Sequence, residues 1–337
     1  MKRVFTILLV LVFVFAFATC GQSNQAGDRP EQLKAAFITA SPLGNDYIDM
    51  IWRGFLRLES EGWSVRSIEA LDAVDHEDSI RAMANEGYDV IMLFGGELIQ
   101  VGVDLSQDLK DINPNLHIFA LDTERELSRD NITSVATDPF EASFVAGYVA
   151  AMSTETGTVG VIMHSDSPGM RRFSMGYYAG VEYANNGTNV VTAISGSPFD
   201  VSLAYEATLT MIASFPVDII YHAAYIAGLG VIRAGAEMGI RIIGVDDWQG
   251  YIDDAVFWSA LKPMETIVAG IANMYKDGVN LPTRLNFDFA RGNRLFDDRD
   301  FERLPLEHQN NVARLMDGIA NGTIDVYRNY PQMRMDF

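Results

Sequence analysis

Short β-branched and aromatic runs alternate along this chain with amphipathic segments of helical length, and few folds accept that pattern. Runs at 35–39, 65–68, 90–94 and 117–121 form one set, and runs at 159–163, 190–194, 219–221 and 241–245 form a second. Parallel neighbours need a crossover helix between them, so each set predicts a parallel sheet flanked by helices. The chain is thus expected to be α/β, with two Rossmann-like lobes in sequence. Two further runs, 255–260 and 285–289, follow the second set. They suggest that the chain crosses back to the first lobe, so that several segments join the lobes and act as a hinge. The expected division is 33–136 with about 250–290 for the N-terminal lobe, and 137–249 with about 291–337 for the C-terminal lobe.

The helices carry start signals. Asp138-Pro139-Phe140-Glu141 combines an N-cap aspartate, proline at the first helical position and Glu141 at the capping-box position, with Phe140, Phe144 and Tyr148 recurring behind it. Ser167-Pro168 opens a second helix with Phe173, Tyr177 and Val181 on one face, and Asp200 opens a third with Leu203, Ala207 and Met211 expected inward.

Ahead of the lobes, Met1-Lys2-Arg3 is basic and residues 4–17 are apolar except for Thr6. That run is too short to span a bilayer but suits a signal-peptide core. Ala18 and Thr19 then precede Cys20, the only cysteine in the chain. The arrangement resembles the lipobox of bacterial lipoproteins, with Phe17 where leucine is usual. Residues 1–19 therefore read as a signal peptide, Cys20 as a lipidation site and 20–32 as a lipidated, solvated tether. The expected location is extracytoplasmic, at the cell membrane. An ordinary secretory signal with an incidental cysteine is the alternative.

Forty-five acidic against 25 basic residues give a formal charge of −20. A body so acidic repels nucleic-acid phosphates and anionic headgroups, which argues against nucleic acid as a partner. Enzyme signatures are sparse: five scattered histidines lack metal-ligand spacing, no Gly-x-Ser-x-Gly elbow occurs, and the sole cysteine lies outside the body. No metal and no cofactor are expected. Gly228-Leu229-Gly230 after the 219–221 run, with Asp246 further on, imitates a dinucleotide fingerprint, but Arg233 stands where its third glycine belongs. A glycine pair that lets a helix approach its sheet is the competing reading.

Gly169-Met170-Arg171-Arg172-Phe173, Gly176-Tyr177, Ala179-Gly180-Val181, Gly196-Ser197-Pro198-Phe199-Asp200, Ala227-Gly228-Leu229-Gly230-Val231, Gly244-Val245-Asp246 with Gln249, and Ser259-Ala260-Leu261-Lys262 follow one another in order. Together they resemble the basic membrane protein family, bacterial surface lipoproteins that act as purine-nucleoside receptors of ABC importers. The resemblance implies a type I periplasmic-binding-protein architecture with a ligand cleft at the hinge, a nucleoside ligand, and permease and ATPase subunits as partners. It implies no catalysis.

By the same resemblance, Asp246 accepts hydrogen bonds from the ribose hydroxyls and Lys262 binds the sugar beside it, keeping that carboxylate ionised. Asp122 faces the base, Gly228 lets backbone approach the ligand, Tyr47 stacks on the base and Phe199 supplies the opposite face. Ile48 stands where the family commonly has a base-reading asparagine, Asp49 replaces a glutamine, and Trp248 replaces the second acid of an Asp-x-Asp pattern. Arg171 and Arg172 could cross-link the lobes or meet solvent. A sensory or surface-interaction lipoprotein on the same scaffold, and an exported nucleoside hydrolase, are the competing functions.

Overall fold

The structure, a computed structural model, describes residues 32–335. The leader and Cys20 lie outside the described residues. The first lobe runs β1 (Lys34–Thr39), α1 (Asp46–Ser60), β2 (Ser64–Glu69), α2 (His76–Asn85), β3 (Val90–Phe94), α3 (Gly96–Ile112), β4 (His117–Leu121) and β5 (Ile132–Thr137). The chain then crosses into α4 (Pro139–Ser153), β6 (Thr158–Met163), α5 (Pro168–Ala184), β7 (Asn189–Ile194), α6 (Val201–Ser214), β8 (Ile219–Ala223), α7 (Gly228–Met238), β9 (Arg241–Asp246) and β10 (Val256–Leu261). It returns for α8 (Met264–Lys276) and β11 (Arg284–Phe287), and finishes in the second lobe with α9 (Asp298–Arg303) and α10 (Leu306–Ala320).

The first sheet has the order β11-β5-β4-β3-β1-β2 and the second β10-β9-β8-β6-β7, with parallel pairing throughout. Helices cover both faces of each sheet, which is why central strands such as β4 and β6 are buried along their whole length and read as apolar runs. In the first lobe α1 and α8 pack on one face, α2 and α3 on the other. In the second, α4, α5 and α10 oppose α6 and α7.

Caps place the helices. Asp138 accepts from Phe140 N–H, Ser167 from Met170 N–H, and Asp200 from Ser202 and Leu203 N–H. Glu141 does not close the capping box. Its carboxylate instead accepts a 2.6 Å hydrogen bond from Phe289 N–H, where the chain re-enters the second lobe. Helices α4 and α5 meet backbone to backbone: a Cβ on Gly180 would stand 1.9 Å from the Phe144 carbonyl oxygen, so only glycine allows the contact.

Three expectations change. The 255–260 run is β10, which pairs with β9 in the second sheet, so 250–261 does not join the N-terminal lobe; the return crossing comes at Lys262-Pro263. A parallel strand can add at any open sheet edge, and composition does not say which. The strand β5, absent from the runs that the sequence suggested, supplies the pairing partner of β11. On α6 the inward residues are Ala204, Thr208 and Met211, whereas Leu203 is exposed.

Candidate functional site

The carboxyl ends of both sheets face one interlobe cavity of about 220 Å³, with a smaller hollow of about 120 Å³ beside it. Tyr47, Tyr225, Val245 and Asp246 line both. Asp122 follows β4, His164 follows β6, Asp246 ends β9 and Lys262 follows β10, the positions from which open α/β sheets contact ligands. Three of these walls sit in the left-handed backbone region: Asp122 (φ 56°), Tyr225 (φ 55°) and Asp246 (φ 67°). The remaining non-glycine case, Asn185, simply ends α5. Strain of this kind, about 1–3 kcal/mol per residue, clusters at binding sites because the surroundings hold it there.

Lys262 is buried across from Asp122, to whose Oδ1 its Nζ donates at 2.6 Å, and its ammonium lies 5.1 Å from the centre of the Tyr47 ring. Burial by itself would lower the Lys262 pKa; Asp122 and Asp246 outweigh it and hold the pKa up. The ammonium expected to keep Asp246 ionised hydrogen-bonds Asp122 and acts on Asp246 through its charge alone. Only the Lys262 main-chain N–H reaches Asp246, donating to its carbonyl at 2.7 Å. Burial pushes the Asp246 carboxyl up to about 6 despite the pull of Lys262, with Asp122, Asp247 and Asp46 adding to the rise. Its Oδ1 is buried without a hydrogen-bond partner. Such an atom costs about 1–3 kcal/mol until a donor reaches it.

Aromatic rings supply the rest of the wall. Tyr47 is tilted against Phe94 at 5.6 Å and edge-on to Tyr225 at 6.4 Å, with Phe173 across the cavity. Phe199 does not provide the opposite face: it is 57% exposed and sits edge-on behind Tyr225, while Pro198 lines the cavity. The extra proline displaces it. Tyr225 and His164 were not singled out from the sequence; an aromatic just before Gly228 was the available signal for the first.

The other expected residues lie elsewhere. Ile48 is fully buried in the first lobe's core with Ile51 and Phe55. Asp49 accepts from Gly44 N–H at 2.8 Å and fixes the turn into α1. A Cβ on Gly228 would fall 2.3 Å from the His222 ring, so this glycine makes room for a core histidine rather than a ligand. Trp248 donates to Asp300 at 2.9 Å, with the Arg299 guanidinium 3.5 Å above its ring, and so anchors α9.

Contacts across the cleft surround the cavity. Asp46, in the first turn of α1, accepts from Tyr251 Oη at 2.6 Å and Gln249 Nε2 at 3.2 Å. Arg53 pairs with Asp247 of the second lobe and with Glu265 at 3.0 Å. Arg172 is buried, bonded to Asp138 at 2.9 Å and 3.5 Å from Glu124 of the first lobe, whereas Arg171 pairs locally with Asp166 at 2.7 Å. Among the described residues no group of three or more His, Cys, Asp or Glu is placed to hold a metal ion.

Two parallel-sheet α/β lobes with a cavity at their strand ends make up the architecture of the type I periplasmic-binding class. Solved structures share the fold: a solute-binding protein of an ABC transporter system from Aeropyrum pernix (TM-score 0.72, 18% identical, 89% of this chain and 95% of that one) and a transcriptional activator of the comK gene from Bacillus halodurans (TM-score 0.74, 18% identical, 87% and 99%). At these identities the likeness concerns architecture alone. The chain belongs to the Bmp family of PnrA-like ABC transporter substrate-binding proteins, whose model it matches over residues 35–328. It is 25% identical to the ABC transporter nucleoside-binding protein BmpA of Lactococcus lactis over 96% of this chain and 99% of that protein. It is also 25% identical to basic membrane protein A of Borreliella burgdorferi over 76% and 75%, and 33% identical to basic membrane protein D of the same species over 43% of each chain.

Proposed function

We propose that the protein is the nucleoside receptor of an ABC importer, held on the outer side of the membrane by lipid on Cys20 and delivering its ligand to a permease and ATPase. One observation carries the reading: Asp246, buried with an unpartnered Oδ1, stands in a cavity walled by Tyr47, Phe173 and Tyr225. A nucleoside satisfies both halves. Its vicinal hydroxyls donate to a carboxylate, at about 1.5–3 kcal/mol per charged bond, and its planar base fits between aromatic rings. The name of the relative from Lactococcus lactis, aligned over nearly its whole length, supports the same ligand class. Lys262 neutralises Asp122 and positions it, while Asp246 takes the sugar. No step of bond breaking is assigned to the cavity.

The experiment is a thermal-shift panel of nucleosides, free bases, sugars and nucleotides on the mature protein. A nucleoside at about a hundred times its Kd adds about 2.7 kcal/mol of stability and raises Tm. A panel in which sugars or free bases raise Tm and no nucleoside does rejects the reading.

A further inference from the structure

The base-reading position expected on α1 is absent from the cavity, since Ile48 packs in the core and Asp49 is committed to Gly44. The other charged groups of the cavity are engaged or belong to the sugar, namely Lys262 with Asp122, and Asp246. Among the neutral polar side chains that line it, the Tyr47 and Tyr225 hydroxyls are buried without a partner, and one imidazole joins them. Four histidine rings have hydrogen-bond partners: His76 with the Ala70 carbonyl, His117 with Thr133, His222 with Gln249 and His308 with Ser153. His164 alone, among the described residues, has none, and it lines the cavity. Its backbone is pinned from both sides, the N–H donating to the Ala223 carbonyl at 3.2 Å and its own carbonyl accepting from Gly196 N–H at 3.1 Å. The sheet therefore fixes the backbone at His164, and the ring faces the cavity with neither nitrogen committed to a protein partner. Burial also lowers its pKa, so the ring is neutral at neutral pH and carries one donor and one acceptor.

We propose that His164, from the second lobe, reads the polar edge of the ligand's heterocycle in place of a side chain on α1, and that its free tautomer makes the site tolerant of both 6-oxo and 6-amino purines. This rests on the nucleoside reading above. With neither nitrogen bound to protein, the same ring atom donates to a 6-oxo group in one tautomer and accepts from a 6-amino group in the other. A fixed amide or a protein-bonded histidine would need to turn to do so.

The test is calorimetry of inosine and adenosine on the mature wild-type protein and on the His164→Phe, His164→Asn and Asp246→Asn variants, with melting curves to confirm folding. Wild type is expected to bind the two within about threefold of each other. His164→Phe, which keeps a ring, is expected to weaken both about tenfold while the preference for ribonucleoside over free base persists. His164→Asn, polar and smaller, is expected to recover part of that loss and serves as the reading if the Phe variant does not fold. Asp246→Asn should weaken both ligands and erode the ribonucleoside preference. If His164→Phe binds inosine and adenosine within twofold of wild type while Asp246→Asn does not, this inference fails and the nucleoside function stands. If wild type binds neither, both fail.

Discussion

Without ligand, the burial of Asp246 carries a cost that pH exposes. Its folded pKa, about 6, lies above the ordinary value of 3.8, so between those values the folded protein binds more protons than the unfolded chain. Stability from this group is fully present below pH 4 and falls as pH rises through 6, by roughly 3 kcal/mol. Asp246→Asn is therefore expected to flatten that part of a Tm-versus-pH curve and to melt higher than wild type at pH 7.5 without ligand; an unchanged curve would show that the carboxyl is not buried as described. Lys262→Met leaves Asp122 without its partner and should destabilise the protein by about 3 kcal/mol, measured by urea unfolding. At this scale the sequence was readable where position alone decides. Asp122, Asp246 and Lys262 each follow a recognisable strand, and all three line the cavity. Ile48 was misplaced although its own spacing with Ile51 and Phe55 marks the buried stripe of α1. Tyr225 and His164 escaped notice because a left-handed backbone angle and an unpaired ring are tertiary facts.

At the level of elements, α1 does three things: Tyr47 walls the cavity, while Asp46 and Arg53 reach across to the segment that follows β9. The Asp46–Tyr251 bond exists only with the lobes together, so it favours the closed state. Tyr251→Phe is expected to weaken ligand binding about three- to tenfold, as one charged hydrogen bond to an exposed residue allows, with little change in Tm of the free protein. Equal loss of Tm and affinity would place the bond in folding rather than closure. At the crossing from β11, Glu141 is buried against Phe289 N–H, and burial lifts its pKa from 4.5 to about 7, with Asp138 and Asp288 adding to the rise. Because the folded pKa is the higher, stability is lost as pH climbs from about 4.5 to 7. Glu141→Gln, which keeps the acceptor and removes the charge, should gain stability over wild type mainly above pH 7; a gain of the same size at pH 5 would contradict this. The helix starts at Asp138, Ser167 and Asp200 were legible because capping is local chemistry. The sheet that receives β10 was not, since parallel pairing is a long-range choice.

For the whole molecule, two lobes with three crossings enclose a cavity between them, and on the proposed reading its affinity depends on closure. Acidic groups dominate that cavity, with Asp122, Asp246 and nearby Asp46 against Lys262. A nucleoside monophosphate brings further negative charge into the same closed space and should bind at least tenfold more weakly than its nucleoside by calorimetry. Attachment is tested separately: Cys20→Ala should abolish incorporation of a fatty-acid probe, and labelling as strong as wild type would remove Cys20 as the anchor. The two-lobe plan was legible because alternation of strands and helices is written along the chain, whereas the closure contacts join residues about 200 positions apart, as in the separation of 205 between Asp46 and Tyr251.

The central claim is that Asp246 holds a ribose while aromatic rings hold a base. Calorimetry of a ribonucleoside, its 2′-deoxy form and its free base on wild type and Asp246→Asn tests it most directly. Wild type should bind the ribonucleoside about tenfold or more tighter than the other two, and the variant should lose most of that difference. A free base bound as tightly as the ribonucleoside, or an Asp246→Asn protein with unchanged affinity for all three, would contradict the account.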